Sequence, residues 1–562
     1  AGRVPAAGRV PAAGRVPAAG RVPAAGRVPA AGRVPLDLAA LRDELAGAED
    51  AGRLRPLGLG RVIDGDGALD RLADAVAEFP GSRDGVVVLA AATPMSVSGR
   101  DLRSAVEAAL GRRFRLEWVT LRPASSPRPA GRPAERPADP RARPPGPQLH
   151  ADEQTVAAAV AAAAGAGCVV TVGSGTITDI GKAAAPGGTP LVAVQTAASV
   201  NGYADPFSVL LRQGVKRTTP SRWPDTLVID PGVLSGAPPE LNRAGVGDLM
   251  AMFTASADWY LASAIGADRS GQPASGDPPY HATVAGITRA HGARLLALAA
   301  GPQAGHARLA DLARILTLSG IAMGVAGSTA PASGMEHAVS HLLEMAAAAR
   351  GEHGSYHGTQ VGVASIVAAA TWAHVRRRIA GGALNRTASL PDPDKALTRI
   401  THAFAPIDPT GSMAAECFSD YATKLRRLSS GTDPLAVLRA AQADHEAVLD
   451  RLLIEPGELA DGLVSAGLPV RFGDLPEPVS DSGARWAVAS CVLMRQRFSV
   501  ADLAVLLRCW QDGDVDQVLA DAQSAGVAAM KAAAQRAAAQ SAAAEPAGSG
   551  AAAPGAAAGE RP

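Results

Sequence analysis

A chain of 562 residues has room for two or three domains, and 47% hydrophobic residues with a formal net charge of +1 exclude a chain too polar to build a core. Lys+Arg (54) and Asp+Glu (53) almost cancel, which removes the bulk electrostatic case for a nucleic-acid partner. The four cysteines, Cys168, Cys417, Cys491 and Cys509, form no C-x-x-C pair and suggest a reducing compartment with buried thiols.

Residues 1–36 are tandem copies of the hexapeptide AGRVPA, the last ending in Leu36. A Pro in every copy blocks regular helix and one Val per copy builds no core, so this stretch is expected to be disordered low complexity outside the fold. From 37 to 232, short apolar runs alternate with helical stretches. Val86–Leu89 precedes a helix over Asp101–Leu110, and Leu116–Leu121 reads as the next strand. The Pro/Arg-rich stretch over 123–147 is expected to be a disordered insert. Beyond it come a helix over Glu153–Gly165, a strand over Cys168–Val172, a helix from Thr178 and a strand over Leu191–Val194. Continuous apolar strands alternating with helices indicate a parallel, helix-covered sheet. From 233 to 525 the strands stop and amphipathic helices take over, among them Ala307–Leu318 and Asp433–Leu453. Residues 526–562 form an Ala-rich tail expected to be mostly disordered. The expected fold is therefore α/β followed by all-α, with a cleft between the two domains. No apolar run reaches the roughly 18–20 residues of a membrane helix, and no apolar signal core opens the chain, so a cytoplasmic protein without a membrane partner is expected.

Three groups of residues carry chemistry. Gly173-Ser174-Gly175-Thr176 follows an apolar strand and opens a helix that includes Asp179. Such a loop serves either a phosphate at a helix N-terminus or merely a tight turn, and it matches neither G-x-G-x-x-G nor the P-loop pattern. Gln195-Thr196-Ala197-Ala198-Ser199-Val200-Asn201-Gly202-Tyr203, with Ser208 and Lys216 beyond it, follows the next strand as a ligand-binding loop. Only five of the 54 basic residues are Lys (Lys182, Lys216, Lys395, Lys424 and Lys531), which makes those positions worth inspecting. Metal-capable side chains are dispersed on helical stretches at Asp248, His337, His341 and His357, and four of the 11 histidines fall between 337 and 357. One carboxylate and two imidazoles make a reasonable open divalent-metal site, while histidines on a helix equally serve as plain hydrogen-bonding residues.

The order of these motifs resembles the sn-glycerol-1-phosphate dehydrogenases, within the superfamily of glycerol dehydrogenases, iron-containing alcohol dehydrogenases and dehydroquinate synthases. The glycine loop, TAAS-x-N-G-Y, G-V-K-R-T-x-P, G-x-G-D, S-G-x-E-H-x-x-S-H and H-G-x-x-V-G carry the resemblance. Ala237–Glu240, Ala255–Trp259, Asp408–Gly411 and Arg495–Phe498 extend it over roughly Leu57 to Trp510. It implies a Rossmann-like parallel-sheet domain and a helical metal-binding domain of the dehydroquinate synthase-like kind, in a homo-oligomer. It further implies that Gly173, Ser174, Gly175 and Asp179 hold the pyrophosphate of NAD or NADP. Thr196, Ser199 and Ser208 would be further cofactor contacts, and Lys216 a contact to phosphate or ribose. Asp248, His337 and His357 would bind one catalytic zinc or nickel, with His341 a neighbour rather than a ligand. The implied reaction is hydride transfer between NAD(P)H and a small phosphorylated ketone, interconverting dihydroxyacetone phosphate and sn-glycerol 1-phosphate.

This chain departs from that pattern at three places. Asn201 stands where the family has an Asp that contacts the substrate hydroxyl, and an amide carries no negative charge and cannot act as a base. Gln195 replaces a Pro. Ala90, Ala91 and Ala92 follow the first apolar strand, where such folds often place an acid for the adenosine ribose, which leaves NAD against NADP open. The alternatives are a dehydrogenase of another polyol such as glycerol, a sugar-phosphate cyclase, and a non-catalytic relative; cyclases usually have Glu at the position of Asp248.

Overall fold

A computed structural model describes residues 33–49, 51–122, 149–185, 187–212, 214–268, 278–300 and 305–544. The repeat through residue 32, the 123–147 insert and the tail beyond 544 lie outside the described residues.

Six strands form one parallel sheet: β1 (Arg61–Asp64), β2 (Val86–Ala91), β3 (Leu116–Leu121), β4 (Cys168–Gly173), β5 (Leu191–Gln195) and, after the antiparallel hairpin β6 (Phe207–Arg212) and β7 (Val215–Pro220), β8 (Thr226–Ile229). Their order across the sheet is β1-β8-β5-β4-β2-β3, with every neighbouring pair parallel. All residues of β4, β5 and β8 are buried, which is why these segments read as unbroken apolar runs rather than alternating ones. From β2 the chain passes through α1 (Leu102–Leu110) to the edge strand β3. Helix α2 (Glu153–Ala163) reverses direction, crossing back over β2 to β4, and α3 (Gly175–Ala184) carries the chain on the same way to β5. That reversal opens a crevice beyond the carboxyl ends of β2 and β4, where open α/β sheets hold ligands.

The helical half includes α4 (Pro239–Leu249), α5 (Ala255–Ala264), α6 (His306–Ala326), α7 (Met335–Ala349), α8 (His357–Ala380), α9 (Ser412–Ser429) and α10 (Asp512–Ala544). Helix α6 is apolar and long enough to cross a membrane, but 94% of its apolar window is buried inside the protein, as in a core helix. Helices α4 and α8 cross with their backbones touching. A Cβ on Gly247 would lie 2.2 Å from the Gly358 carbonyl oxygen, and one on Gly358 would lie 2.0 Å from the Ala244 carbonyl oxygen. Only glycine permits that approach, and each glycine is the chain neighbour of a site residue, Asp248 or His357.

Several sequence expectations are corrected. The last repeat copy belongs to the fold: Val34 is 1% exposed, its N–H donates to Asp311 at 2.9 Å, and Arg33 pairs with Asp64 at 2.8 Å. Its partners lie far along the chain, beyond the reach of composition. The Ala-rich stretch after Gly526 continues α10 as far as Ala544, as alanines, the best helix formers, allow, with Ala529 buried. Asp433–Leu453 is two helices broken at Ala441, Pro434–Ala440 and Gln442–Leu452, each burying its own apolar face. Ala90 and Ala91 are the last residues of β2, the second strand, rather than a loop after the first. The acid ending β1, Asp64, is held by Arg314 at 2.6 and 2.9 Å and is committed to structure.

Replacing Gly247 by Ala should destabilise the protein by about 1–3 kcal/mol through overpacking. Urea unfolding read by circular dichroism checks this, and a midpoint equal to wild type would refute the close crossing.

Candidate metal and cofactor site

Asp248 closes α4, His337 sits in the first turn of α7, and His357 begins α8. The contact at Gly247 and Gly358 brings α4 and α8 together, and α7 packs against α8. His337 Nε2 lies 3.5 Å and His357 Nε2 3.7 Å from Asp248 Oδ1, and the ligand atoms of all three lie within 4.8 Å of one another. Zinc ligands bonded at about 2.0–2.1 Å in a tetrahedron stand roughly 3.3 Å apart, so only small adjustments are needed.

The donor chemistry fits a cation. Asp248 is 1% exposed and its Oδ1 has no hydrogen-bond donor, an unmet demand that costs free energy unless a cation answers it. Its Oδ2 accepts the Asn201 backbone N–H at 3.1 Å. Each imidazole has its other nitrogen tied to a carboxylate: His337 Nδ1 to Glu336 and His357 Nδ1 to Glu344, both at 3.1 Å. A carboxylate on Nδ1 places the proton there and leaves Nε2 as the bare donor, which is how metal-ligating histidines are oriented. Burial opposes charge on His337, but the Asp248 and Glu336 carboxylates beside its ring outweigh it and raise the imidazole to about 8. Glu344 goes the other way: despite its burial, Lys216 and then His357 hold its carboxyl well below the usual range.

A cavity of about 520 Å³ joins this cluster to the crevice of the sheet. Gly173, Ser174, Gly175, Asp179, Thr196, Ser199, Asn201 and Lys216 line it together with Asp248, His337, His341 and His357. Ser174 is the N-cap of α3, yet its side chain makes no capping hydrogen bond, which leaves that helix end to an outside acceptor. A Cβ on Gly175 would lie 2.5 Å from Val200 Cγ2, so the two binding loops close on each other at that glycine.

Two expected contacts differ in the structure. Ser208 is fully buried and donates to the Asp179 carbonyl at 2.9 Å. The loop expected after Tyr203 is the β6–β7 hairpin, whose alternation turns Phe207, Val209 and Leu211 toward the cavity and Ser208 away from it. Lys216 does line the cavity, but its ammonium pairs with Glu344 at 2.8 Å.

Other residues complete the site. Lys182, buried, binds Asp205 at 2.8 Å, Asp179 at 3.0 Å, the Gly202 carbonyl at 2.7 Å and the Phe207 carbonyl. Burial disfavours its charge, yet Asp205 and Asp179 prevail and raise its pKa; burial pushes Asp205 up to about 6 even against Lys182. The scarcity of Lys was the only sequence signal for this staple. Glu336 and Glu344 share α7 with His337, a placement that only the folded helix reveals. His341 receives a hydrogen bond from Arg495 at Nδ1. The Asn201 amide donates to Ser319 Oγ at 3.2 Å.

Comparison with known proteins agrees with this architecture. Residues 134–238 match the family model described as iron-containing alcohol dehydrogenase. The glycerol-1-phosphate dehydrogenase [NAD(P)+] of Methanothrix thermoacetophila is 32% identical over 213 residues, 38% of this chain and 57% of that protein. The enzyme of that name from Sulfurisphaera tokodaii is 30% identical over 244 residues, 42% of this chain and 67% of that protein. The matched stretch thus spans less than two thirds of the Methanothrix protein's length. A solved structure of a probable glycerol dehydrogenase from Sinorhizobium meliloti aligns at 17% identity over 84% of this chain and 99% of its own, with a TM-score of 0.48. The Sulfurisphaera match places the chain in the glycerol-1-phosphate dehydrogenase family, in line with the match of residues 134–238 to the iron-containing alcohol dehydrogenase model.

Glu336→Gln should weaken divalent-metal affinity by about 10–100-fold, the usual cost of losing such an outer partner. Competition against a chromogenic chelator measures it, and unchanged affinity would contradict the assignment of His337 as a ligand.

Proposed function

We propose that the protein interconverts dihydroxyacetone phosphate and sn-glycerol 1-phosphate, using NAD(P)H and one divalent cation. The observation that carries this reading is the buried Asp248 Oδ1, without a donor, facing two imidazole nitrogens in the same cavity as the glycine loop. In the reducing direction, a hydride from the cofactor and a proton are added across the ketone, giving the secondary alcohol and NAD(P)+.

Asp248, His337 and His357 would hold the zinc or nickel, whose Lewis acidity polarises the substrate oxygen when it is bound. Glu336 and Glu344 keep the two imidazoles turned with Nε2 inward. The Asn201 backbone N–H fixes the Asp248 carboxylate from behind and leaves Oδ1 for the cation. On the sheet side, Gly173, Ser174 and Gly175 present the start of α3 to the pyrophosphate. Thr196 and Ser199 line the path from there to the cluster, and Asp179 is held in place by Lys182 and the Val209 N–H at 3.1 Å. The protein's work is alignment of the nicotinamide with the substrate carbon, which confers rate by fixing a near-attack geometry.

Asn201 favours a second reading, turnover of an unphosphorylated polyol. Its amide is oriented by Ser319 and offers a hydrogen-bonding group to a substrate hydroxyl but no charge.

Metal analysis of the purified protein should find about one divalent ion per chain, and chelation should abolish NAD(P)H oxidation. Dihydroxyacetone phosphate should support that oxidation far better than dihydroxyacetone; activity with the unphosphorylated ketone alone would establish the second reading instead. Asn201→Asp should change turnover by at least about tenfold if this side chain meets the reacting hydroxyl.

A further inference from the structure

We propose that Arg495 recognises the phosphate group of the substrate, an inference that rests on the dehydrogenase reading above. Arg495 lies in the turn after the short helix Cys491–Leu493. Its guanidinium donates to Ser333 Oγ at 3.4 Å and to His341 Nδ1, and both of these residues line the cavity at its metal end. A ring nitrogen of His341 in turn lies within 4.8 Å of ligand atoms of Glu344 and His357. The guanidinium therefore stands directly behind the wall against which a substrate held at the cluster would lie.

What distinguishes Arg495 is its charge balance. Three other cations at or near the cavity have carboxylates: Lys182 has Asp179 and Asp205, Lys216 has Glu344, and Arg217 has Glu416 and Asp420 at 2.7 and 2.8 Å. Among the described residues, no carboxylate lies within ion-pair distance of Arg495. Asp420 and Glu336 face it from farther away and are already engaged by Arg217 and His337. Burial, then the neighbouring guanidiniums of Arg497 and Arg217, push Arg495 down to about 9, so it stays charged at neutral pH. A partly buried cation beside two others is unfavourable until an anion arrives.

The donor geometry suits a phosphate. Arginine carries N–H donors only, so His341 Nδ1 must accept and its proton must reside on Nε2. His341 Nε2–H and the Ser333 hydroxyl then offer donors on the cavity wall, and Arg495 behind them supplies the positive charge. That set matches the several oxygens of a phosphate dianion. In dihydroxyacetone phosphate the phosphate is close enough to the carbonyl carbon for one residue cluster to hold both.

The test compares wild type with Arg495→Gln and Arg495→Lys as metal-loaded enzymes. The readout is the ratio of kcat/KM for dihydroxyacetone phosphate to that for dihydroxyacetone, alongside calorimetric binding of inorganic phosphate. We expect the ratio to fall by about 100-fold in the Gln variant, as for loss of a buried charge partner, with partial recovery in the Lys variant. Phosphate binding should weaken in parallel. An unchanged ratio, or phosphate binding that ignores the substitution, overturns the inference, and a structural role for Arg495 would depress both substrates equally. If wild type binds phosphate through Arg495 but does not turn over dihydroxyacetone phosphate, the anion site stands and the substrate reading falls.

Discussion

Two backbones in contact underlie the candidate site. Because neither Gly247 nor Gly358 has a side chain, α4 and α8 approach until main-chain atoms touch, and the residues beside those glycines, Asp248 and His357, are brought face to face. A Cβ at either position would lie 2.0–2.2 Å from a facing carbonyl oxygen, so the helices would have to separate by roughly 1 Å. The carboxylate and imidazole would then no longer fit around one cation. A packing constraint thus sets how closely this carboxylate and imidazole approach.

Carboxylates dominate the rest of the site, and they act through other groups. Glu336 and Glu344 orient imidazoles, Asp179 and Asp205 anchor Lys182, and Asp258 caps the start of α7 by accepting the Met335 N–H at 2.9 Å. Asp258 has no cation beside it; burial and the neighbouring Glu336 raise its pKa well above the ordinary range. It accepts bonds from Trp372 and the Val500 N–H as well, at 3.1 and 3.0 Å. The start of α7 is therefore held by short-range hydrogen bonds.

Much of this was legible in the sequence. The buried strands announced themselves as apolar runs because both faces of a parallel sheet are covered. Asp248, His337 and His357 were visible as an ordered set of residue types, though nothing in their spacing showed that they meet. Failures came where partners are distant in sequence. Ser208 reads as a ligand residue in a loop, but hairpin alternation turns it inward. Arg33 and Val34 read as one more repeat copy, and only folding brings Asp64 and Asp311 to them. The unpaired charge of Arg495 is a three-dimensional fact, invisible until every nearby carboxylate has been assigned to another cation.

The clasp at the sheet's β1 edge bears on how the enzyme breathes. Arg314 on α6 grips Asp64 on β1, Asp311 receives Val34, and Arg33 closes the ring, three strands away from the glycine loop. A spine of that kind allows the two halves of a book to part only along the opposite margin. The crevice beyond β2 and β4 lies toward that opposite margin.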